Sequence, residues 1–443
     1  MDERYIVAVE VSSSKVIASV GKELPAGGVK ILAVEQETQV DTVRYGVIQN
    51  LEETSVSISR VFSRLEQRSA IAPRKICGVV VGLSGRSVRN IRTEVSLTLA
   101  DDTEIDDMIL TRLRTQAMQA AIDSSLEVID AVPRSYKIGK METLTPKGMV
   151  GNNVTGVFDL IVCRPELIRN IRRTITDKLD IEVVGFVVTA MATGHLILTS
   201  DEKDLGCMLV DMGAETTTVT IYKNGTLRYF STLPMGGRHI TRDVMSLGLI
   251  ESRAEEIKKT SGNALGDEDK DSSLEIGGVK IVDVQNLIGA RSEEIIANIL
   301  EQINYAGMKE IDLSKGIILI GGGSRLKGFA DLLAEQSDMP VRRGSLPDYI
   351  LFDNQARTPS ADILEVVSIL YAGLTLSDTE CLEMPEKEDL PINGTLPLEE
   401  QEEEFVDEES EKPKEKRLNP LFARARKVFS NMFGNPEDDS DLI

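Results

Sequence analysis

Tryptophan is absent, and aromatic residues make up only 4% of the 443-residue chain. Positive charge is in deficit. Fifty Lys and Arg face 72 Asp and Glu, for a net charge of −22, which argues against nucleic acid as a partner. No apolar run is long enough to span a bilayer, and the first residues show no signal-peptide pattern. Cysteine is sparse. Cys77, Cys163, Cys207 and Cys381 lack metal-ligand spacing. The first three sit in apolar strand-like runs, so buried free thiols in a reducing cytosol are expected. The length exceeds what one core serves and points to about two to four domains.

What is present centres on Leu205 to Pro234. An apolar run, Cys207 to Val210, ends at Asp211. A short turn with Gly213 follows, then β-branched residues from Thr216 to Tyr222. Asn224-Gly225 is the preferred two-residue hairpin turn, and Leu227 to Leu233 reads as a third strand. Three antiparallel strands with an acid and hydroxyls at the first turn predict a phosphate clasp. Backbone N–H groups and the Thr hydroxyls meet phosphate oxygens, and Asp211 holds a hydrated Mg²⁺. An ordinary β-meander is the plainer alternative.

The N-terminus repeats this layout. Tyr5 to Glu10 is a strand ending in an acid, Val11 to Lys15 is a hydroxyl-bearing turn, and strands follow at Val16 to Val20 and Val29 to Gln36. Glu10 stands where Asp211 stands. The chain therefore reads as duplicated, with two similar sheets whose turns face each other across a ligand cleft.

Asn50 to Gln67 has the apolar spacing of an amphipathic helix, and Ile76 to Leu83 is a strand. From there to about Asp159 the pattern changes to a small α+β insertion. Its strands are Glu94 to Leu99, Glu127 to Val132, Tyr136 to Ile138 and Thr155 to Cys163, and its helix is Ile105 to Ala121. Helices are expected at Pro165 to Leu179, Ala190 to Leu198, Ser252 to Gly262, Ser292 to Tyr305, Phe329 to Gln336 and Ala361 to Leu374. The strand Gly316 to Ile320 runs into Gly321-Gly322-Gly323-Ser324. This glycine turn before a helix lets a ligand approach the backbone, although a tight strand–helix turn needs no ligand.

The end of the chain carries two compositions. Residues 378–443 contain 20 acidic and 8 basic residues, and the stretch from Asp378 to Glu415 reads as a disordered acidic linker. Leu418 to Gly434 then reads as a helix with Asn419 as N-cap, Pro420 at its first position and Gly434 beyond its end. Leu421, Phe422, Ala425, Val428, Phe429, Met432 and Phe433 form one apolar face, beside Arg424, Arg426 and Lys427. A basic amphipathic helix behind such a linker fits a lipid-surface anchor, with docking on its own domain or on a protein groove as the alternative. Six large apolar side chains give a gross gain of about 9–18 kcal/mol, which ordering the peptide offsets. One copy is therefore expected to bind weakly, and several linked copies stably.

In this order the two turns, Gly236-Gly237, the Glu255/Lys258 helix, GGGSRLKG and the basic tail resemble the FtsA family of the actin/Hsp70/hexokinase superfamily. The resemblance implies an α/β, actin-like (ribonuclease H-like) duplicated fold, with two lobes around a nucleotide cleft. It implies a first lobe at 1–82 and 161–200, and an inserted α+β subdomain at 83–160. A second lobe core follows at 201–236 and 315–377, with an outer subdomain at 237–314. The linker is then 378–417, the membrane helix 418–434 and an acidic tail 435–443.

By position, Ser12, Ser13, Ser14 and Lys15 resemble the first phosphate loop, and Asp211, Gly213, Thr216 and Thr217 the second. Gly236 and Gly237 fall near phosphates or ribose, Glu255 and Lys258 at ribose and base, and Gly321, Gly322, Gly323 and Ser324 at the adenosine turn. Glu10 is the candidate catalytic group and, with Asp211, a candidate metal holder through water. Two departures stand out. Ser12 replaces a usual glycine, and Ala214 and Glu215 replace the last two glycines of Asp-x-Gly-Gly-Gly-Thr. Glu215 puts a carboxylate near the phosphates, a repulsion that metal or Lys15 must offset. Binding of ATP with Mg²⁺ is thus expected ahead of hydrolysis.

The family role implied is an adaptor. It polymerises, binds FtsZ and other division proteins, and anchors FtsZ filaments to anionic lipid on the cytoplasmic face of the inner membrane at the septum. A small-molecule kinase, an Hsp70-like chaperone and a pilus-type actin-like scaffold are the competing readings.

Overall fold

The computed structural model describes residues 4–24, 28–39, 41–266, 274–353, 363–376 and 380–385. The linker and the amphipathic helix read at 378–434, with its lipid-facing residues, lie outside the described residues apart from 380–385. So do residues 267–273, within the stretch Gly266 to Leu274 that reads in the sequence as an acidic surface loop.

Three antiparallel strands open the chain: β1 (Tyr5–Val11), β2 (Lys15–Glu23) and β3 (Val29–Thr38). Helix α1 (Leu51–Glu66) follows, with the Asn50 side chain accepting from the Glu52 and Glu53 amides. Strand β4 (Gly78–Leu83) then lies parallel to β1. The chain next leaves this sheet to build β5 (Arg89–Glu104), α2 (Asp107–Met118), β6 (Glu127–Ile138) and β7 (Val150–Cys163). It returns through α3 (Pro165–Arg172) to β8 (Glu182–Val188), parallel to β4. The first sheet therefore runs β8-β4-β1-β2-β3, with Ile350–Phe352 added beside β3.

After α4 (Thr189–Ile197) the same construction recurs. Strands β9 (Cys207–Met212), β10 (Thr217–Lys223) and β11 (Thr226–Leu233) are antiparallel. Asn224 and Gly225 join β10 to β11 with φ of 54° and 70°, the left-handed pair that a tight hairpin needs. Helices α5 (Gly237–Met245), α6 (Glu251–Ser261) and α7 (Ile281–Tyr305) precede β12 (Ile317–Ile320). Helix α8 (Phe329–Ser337) and β13 (Val341–Arg343) complete the lobe, and α9 (Leu364–Gly373), expected with the second lobe core, instead returns to pack on α4 and on β1, β2 and β4 of the first sheet. The second sheet runs β11-β10-β9-β12-β13, with β12 and β13 parallel to β9. Strand order and direction match the first sheet, so the duplication read from the sequence is present as topology.

Every residue of β1 is buried, because helices cover both faces of its sheet. Helices α4 and α9 pack on each other within one core that also takes in Cys207, Leu209, Tyr222, Ile318 and Ile320 of the second sheet. A separate core sits under α5 to α8. The inserted sheet has its own small core of Ile109, Leu113, Tyr136, Phe158 and Leu160.

Several expected boundaries move. The two insert strands split at Pro133 are one strand, because a register shift opposite Phe158 absorbs the proline's missing donor. That shift leaves Arg134 to reach out to Asp159 and to the Arg228 carbonyl of β11, at 3.3 and 3.1 Å. The Asn90 side chain also accepts from the Phe230 amide of β11 at 3.1 Å. The insert thus closes one margin of the second sheet. Of the cysteines, Cys163, Cys207 and Cys381 are buried, but Cys77 is only partly so, because it falls in the break ahead of β4.

Candidate functional site

The site begins with two strands in equivalent places. Strands β1 and β9 are each flanked by one antiparallel and one parallel neighbour, and each carries an acid toward its C-terminal end. Glu10 stands opposite Ile17 and beside Gly82. Asp211 stands opposite Thr218 and beside Ile320. Burial first, and then the charge of Glu365, push Glu10 up to about 7 against the pull of Lys15. Burial and then Glu10 push Asp211 up to about 7, again against Lys15. Glu10, Asp211 and Lys15 are therefore one electrostatic unit, as the duplicated layout implied. Glu365 on α9 is a member that sequence reasoning missed; its signal was an acid inside the apolar run LEVVSIL.

The turns after these acids are tightly bonded. Both the amide and the hydroxyl of Ser12 donate to the Lys15 carbonyl, at 2.9 and 3.0 Å. The Ser14 carbonyl accepts from the Gln39 amide at 2.8 Å. In the second turn the Gly213 amide donates to Thr216 at 2.8 Å. The Gly237 and Arg238 amides at the start of α5 donate to Gly213 and Ala214, at 3.0 and 2.7 Å. The Thr217 hydroxyl donates to the Met235 carbonyl at 2.8 Å, so it braces the approach to Gly236-Gly237.

Glycine is what lets these backbones converge. A Cβ on Gly236 would stand 2.6 Å from the Gly213 carbonyl oxygen, and one on Gly323 would stand 2.7 Å from the same atom. A Cβ on Gly237 would stand 3.2 Å from the Gly323 Cα. Gly321 has φ +86° and ψ 154°, a conformation essentially reserved for glycine. Gly322 and Gly323 enter a single tight turn, closed by the Ser324 hydroxyl on the Gly321 carbonyl at 2.7 Å. Asp211, Gly213, Gly236, Gly237, Gly321 and Gly323 therefore lie together, although over 100 residues separate the first from the last.

Lys258 ties α6 into this cluster. Its ammonium donates to the Gly237 carbonyl at 3.0 Å, the Thr241 hydroxyl at 2.9 Å and Glu255 at 2.6 Å. Those bonds use all three of its donors. Burial lowers the Lys258 pKa, and Glu255 resists that fall. Burial alone would raise Glu255, but Lys258, Thr241 and Lys259 pull it down to about 2.

Glu215 is not a bare charge beside the two turns. It is buried and accepts from the Tyr45 amide at 3.0 Å. It pairs with Arg238 at 3.3 Å and Arg242 at 3.0 Å, and the Ser13 hydroxyl also bonds it. Burial would raise its pKa, but the Tyr45 amide, Arg238 and Ser13 hold it below the ordinary value. The offset expected from metal or Lys15 is supplied by two arginines of α5. Tyr45, Arg238 and Arg242 escaped sequence reasoning, because no local spacing marks them as partners of residue 215.

Among the described residues, no three His, Cys, Asp or Glu are grouped to hold a metal ion. Two neighbouring acids with a glycine-lined, amide-rich surround suit an ion that takes most of its ligands from water and phosphate, as Mg²⁺ does. Among the same residues, no helix is long and apolar enough to cross a membrane.

Two sheets of one topology, each presenting an acid and a hydroxyl-bearing turn, joined by glycine crossings and interrupted by a small α+β module, define an actin-like protein. A solved structure of the PilM–PilN type IV pilus biogenesis complex shares this fold, with TM-score 0.57 and 17% identity over 83% of this chain and 97% of that one. The family model for cell division protein FtsA matches residues 208–361, and the model for the SHS2 domain inserted in FtsA matches 85–162. Cell division protein FtsA of Porphyromonas gingivalis is 29% identical over 417 residues, covering 89% of this chain and 85% of that protein. FtsA of Neisseria meningitidis is 27% identical, covering 84% and 91%. FtsA of Bacillus subtilis is 28% identical, covering 78% and 79%. The chain belongs to the FtsA family of cell division proteins.

Proposed function

We propose that this chain is an ATP-binding adaptor that polymerises and anchors FtsZ filaments to the cytoplasmic face of the inner membrane at the division septum. The observation that carries the nucleotide part is the convergence of Glu10, Asp211, Lys15 and the glycine crossings at one place between the two sheets. In this reading the Ser12 to Lys15 and Gly213 to Thr217 turns hold the phosphates through backbone amides. Gly236, Gly237 and the Gly321 to Ser324 turn accept the nucleoside backbone-close. Lys258, with its donors committed to Gly237, Thr241 and Glu255, fixes the wall beside the ribose and base.

Mg²⁺ fits beside Asp211 and Glu10 through water, where it supplies charge that phosphate oxygens need neutralised. Glu10, lifted to about 7, is placed to take a proton near neutral pH, and binding is expected to exceed turnover. The kinase and pilus-scaffold readings are not favoured by a chain whose relatives are FtsA proteins. The outer part of the second lobe, 237–314, is the surface proposed for FtsZ. Other division proteins and further copies of the chain are the remaining partners, without nucleic acid.

The membrane part rests on the amphipathic sequence at 418–434. Co-sedimentation with anionic liposomes tests it. The full chain with Mg-ATP is expected to pellet at least tenfold more than the chain lacking 418–434, and more than a strictly monomeric form, because avidity multiplies a weak single contact. Equal pelleting with and without that segment refutes the anchor. Equal pelleting by monomer and assembly refutes the avidity.

A further inference from the structure

We infer that Glu215 is a positioning residue that latches the first lobe's turns onto the second lobe without help from nucleotide. Its partners lie on both sides of the seam. From the first lobe come the Tyr45 amide and the Ser13 hydroxyl. From the second come Arg238 and Arg242 of α5. The carboxylate is 1% exposed, so its charge is balanced by these groups and not by water.

The surroundings reinforce one docking geometry. The Tyr45 ring lies 6.5 Å from the His239 ring of α5, and the Arg86 guanidinium sits 5.3 Å over the Tyr45 ring. Arg238 is itself held by Glu251 at 3.2 Å, and its amide is bonded to Ala214. Tyr45 has φ +50° and Gly46 has φ +84°, so a tight turn aims the Tyr45 amide at the carboxylate. An anion bound across both turns would draw the lobes together; here a side chain of the second turn already does so. The consequence is that the two phosphate turns stay in register whether or not ATP is present, so loss of nucleotide alone does not part them. Only the part played by ATP rests on the nucleotide reading of the site; the latch itself stands on the contacts.

Amide hydrogen exchange on the full chain tests it, reading the peptide that spans residues 41–49 with and without Mg-ATP. In the nucleotide-free wild-type chain this peptide is expected to be protected. Glu215→Gly removes the acceptor and both ion pairs, and exchange should rise at least tenfold without nucleotide, with Mg-ATP restoring protection. Glu215→Gln keeps an acceptor for the Tyr45 amide, and its exchange should fall between the two. Arg242→Gln, at a half-exposed partner, serves if Glu215→Gly does not fold, and should raise exchange by at least threefold. Unchanged exchange in folded Glu215→Gly, or in Arg242→Gln, overturns the latch. If Mg-ATP neither binds nor protects while the variants still open the peptide, the latch survives and the nucleotide reading fails.

Discussion

Replacing Asp211 by Asn is expected to raise the melting temperature of the nucleotide-free protein at pH 8 by a few degrees and to lower its affinity for Mg-ATP at least tenfold. The two effects have opposite signs because the same charge causes both. Burial and Glu10 lift Asp211 to about 7, so the folded state holds a proton that the unfolded state releases near pH 4. A carboxyl group raised in this way contributes stability that is complete below its unfolded value and lost as pH rises through about 7. At pH 8 the wild-type protein carries like charges on buried Glu10 and partly exposed Asp211, and removing one returns about 2 kcal/mol once that exposure is discounted. At pH 4 the same substitution should be close to neutral. In the proposed reading a divalent metal beside Asp211 needs that charge, so affinity for Mg-ATP is expected to fall even as the fold becomes more robust. Scanning calorimetry at the two pH values and a binding titration read the two halves separately. Unchanged Mg-ATP affinity would place the nucleotide elsewhere.

Gly321→Ala is expected to lower unfolding stability by about 2–4 kcal/mol and to abolish nucleotide binding. At φ +86° and ψ 154° an L-residue is strained before any contact is counted. The added carbon would also overlap the Met212 carbonyl oxygen and stand 2.6 Å from an Asp211 carboxylate oxygen. Backbone cannot rotate away as a side-chain tip can, so the β9 end or the Gly321 turn must move. Gly307→Ala is the control, with φ +69° and nothing within 4 Å of its added carbon. It should cost only about 1 kcal/mol and leave binding intact. Chemical denaturation of both variants settles the comparison; equal losses would mean that strain alone, and not the crossing at Asp211, sets the cost.

The parts of the fold legible in the sequence were those written in short-range patterns. Asn224-Gly225 between β-branched runs fixed a hairpin, and two strands ending in acids at Glu10 and Asp211 disclosed the repeat. The sequence marks helix α7 only from Ser292, yet it begins at Ile281. Ile281, Val284 and Ile288 carry the helical spacing and are buried, but Gly289 interrupts the local preference and packing overrides it. Helix Ser200–Leu205 was missed although Thr199 and Glu202 form a capping box, because six residues are too few to show periodicity. At the site, residues within one turn could be grouped from spacing. What could not be read was any bond across the seam. Tyr45 and Glu215 are 170 positions apart, and nothing near either names the other.

The insert's grip on β11 has a bearing on how copies of this chain can associate. Arg134 and Asn90 already occupy the backbone carbonyl and amide that a foreign strand would seek along that border. An open sheet border is the usual template for runaway cross-β stacking, and this one is blunted by a neighbouring module of the same polypeptide. Strand addition by another copy along that border would first have to displace Arg134 and Asn90, so the border is closed to it while the insert stays docked.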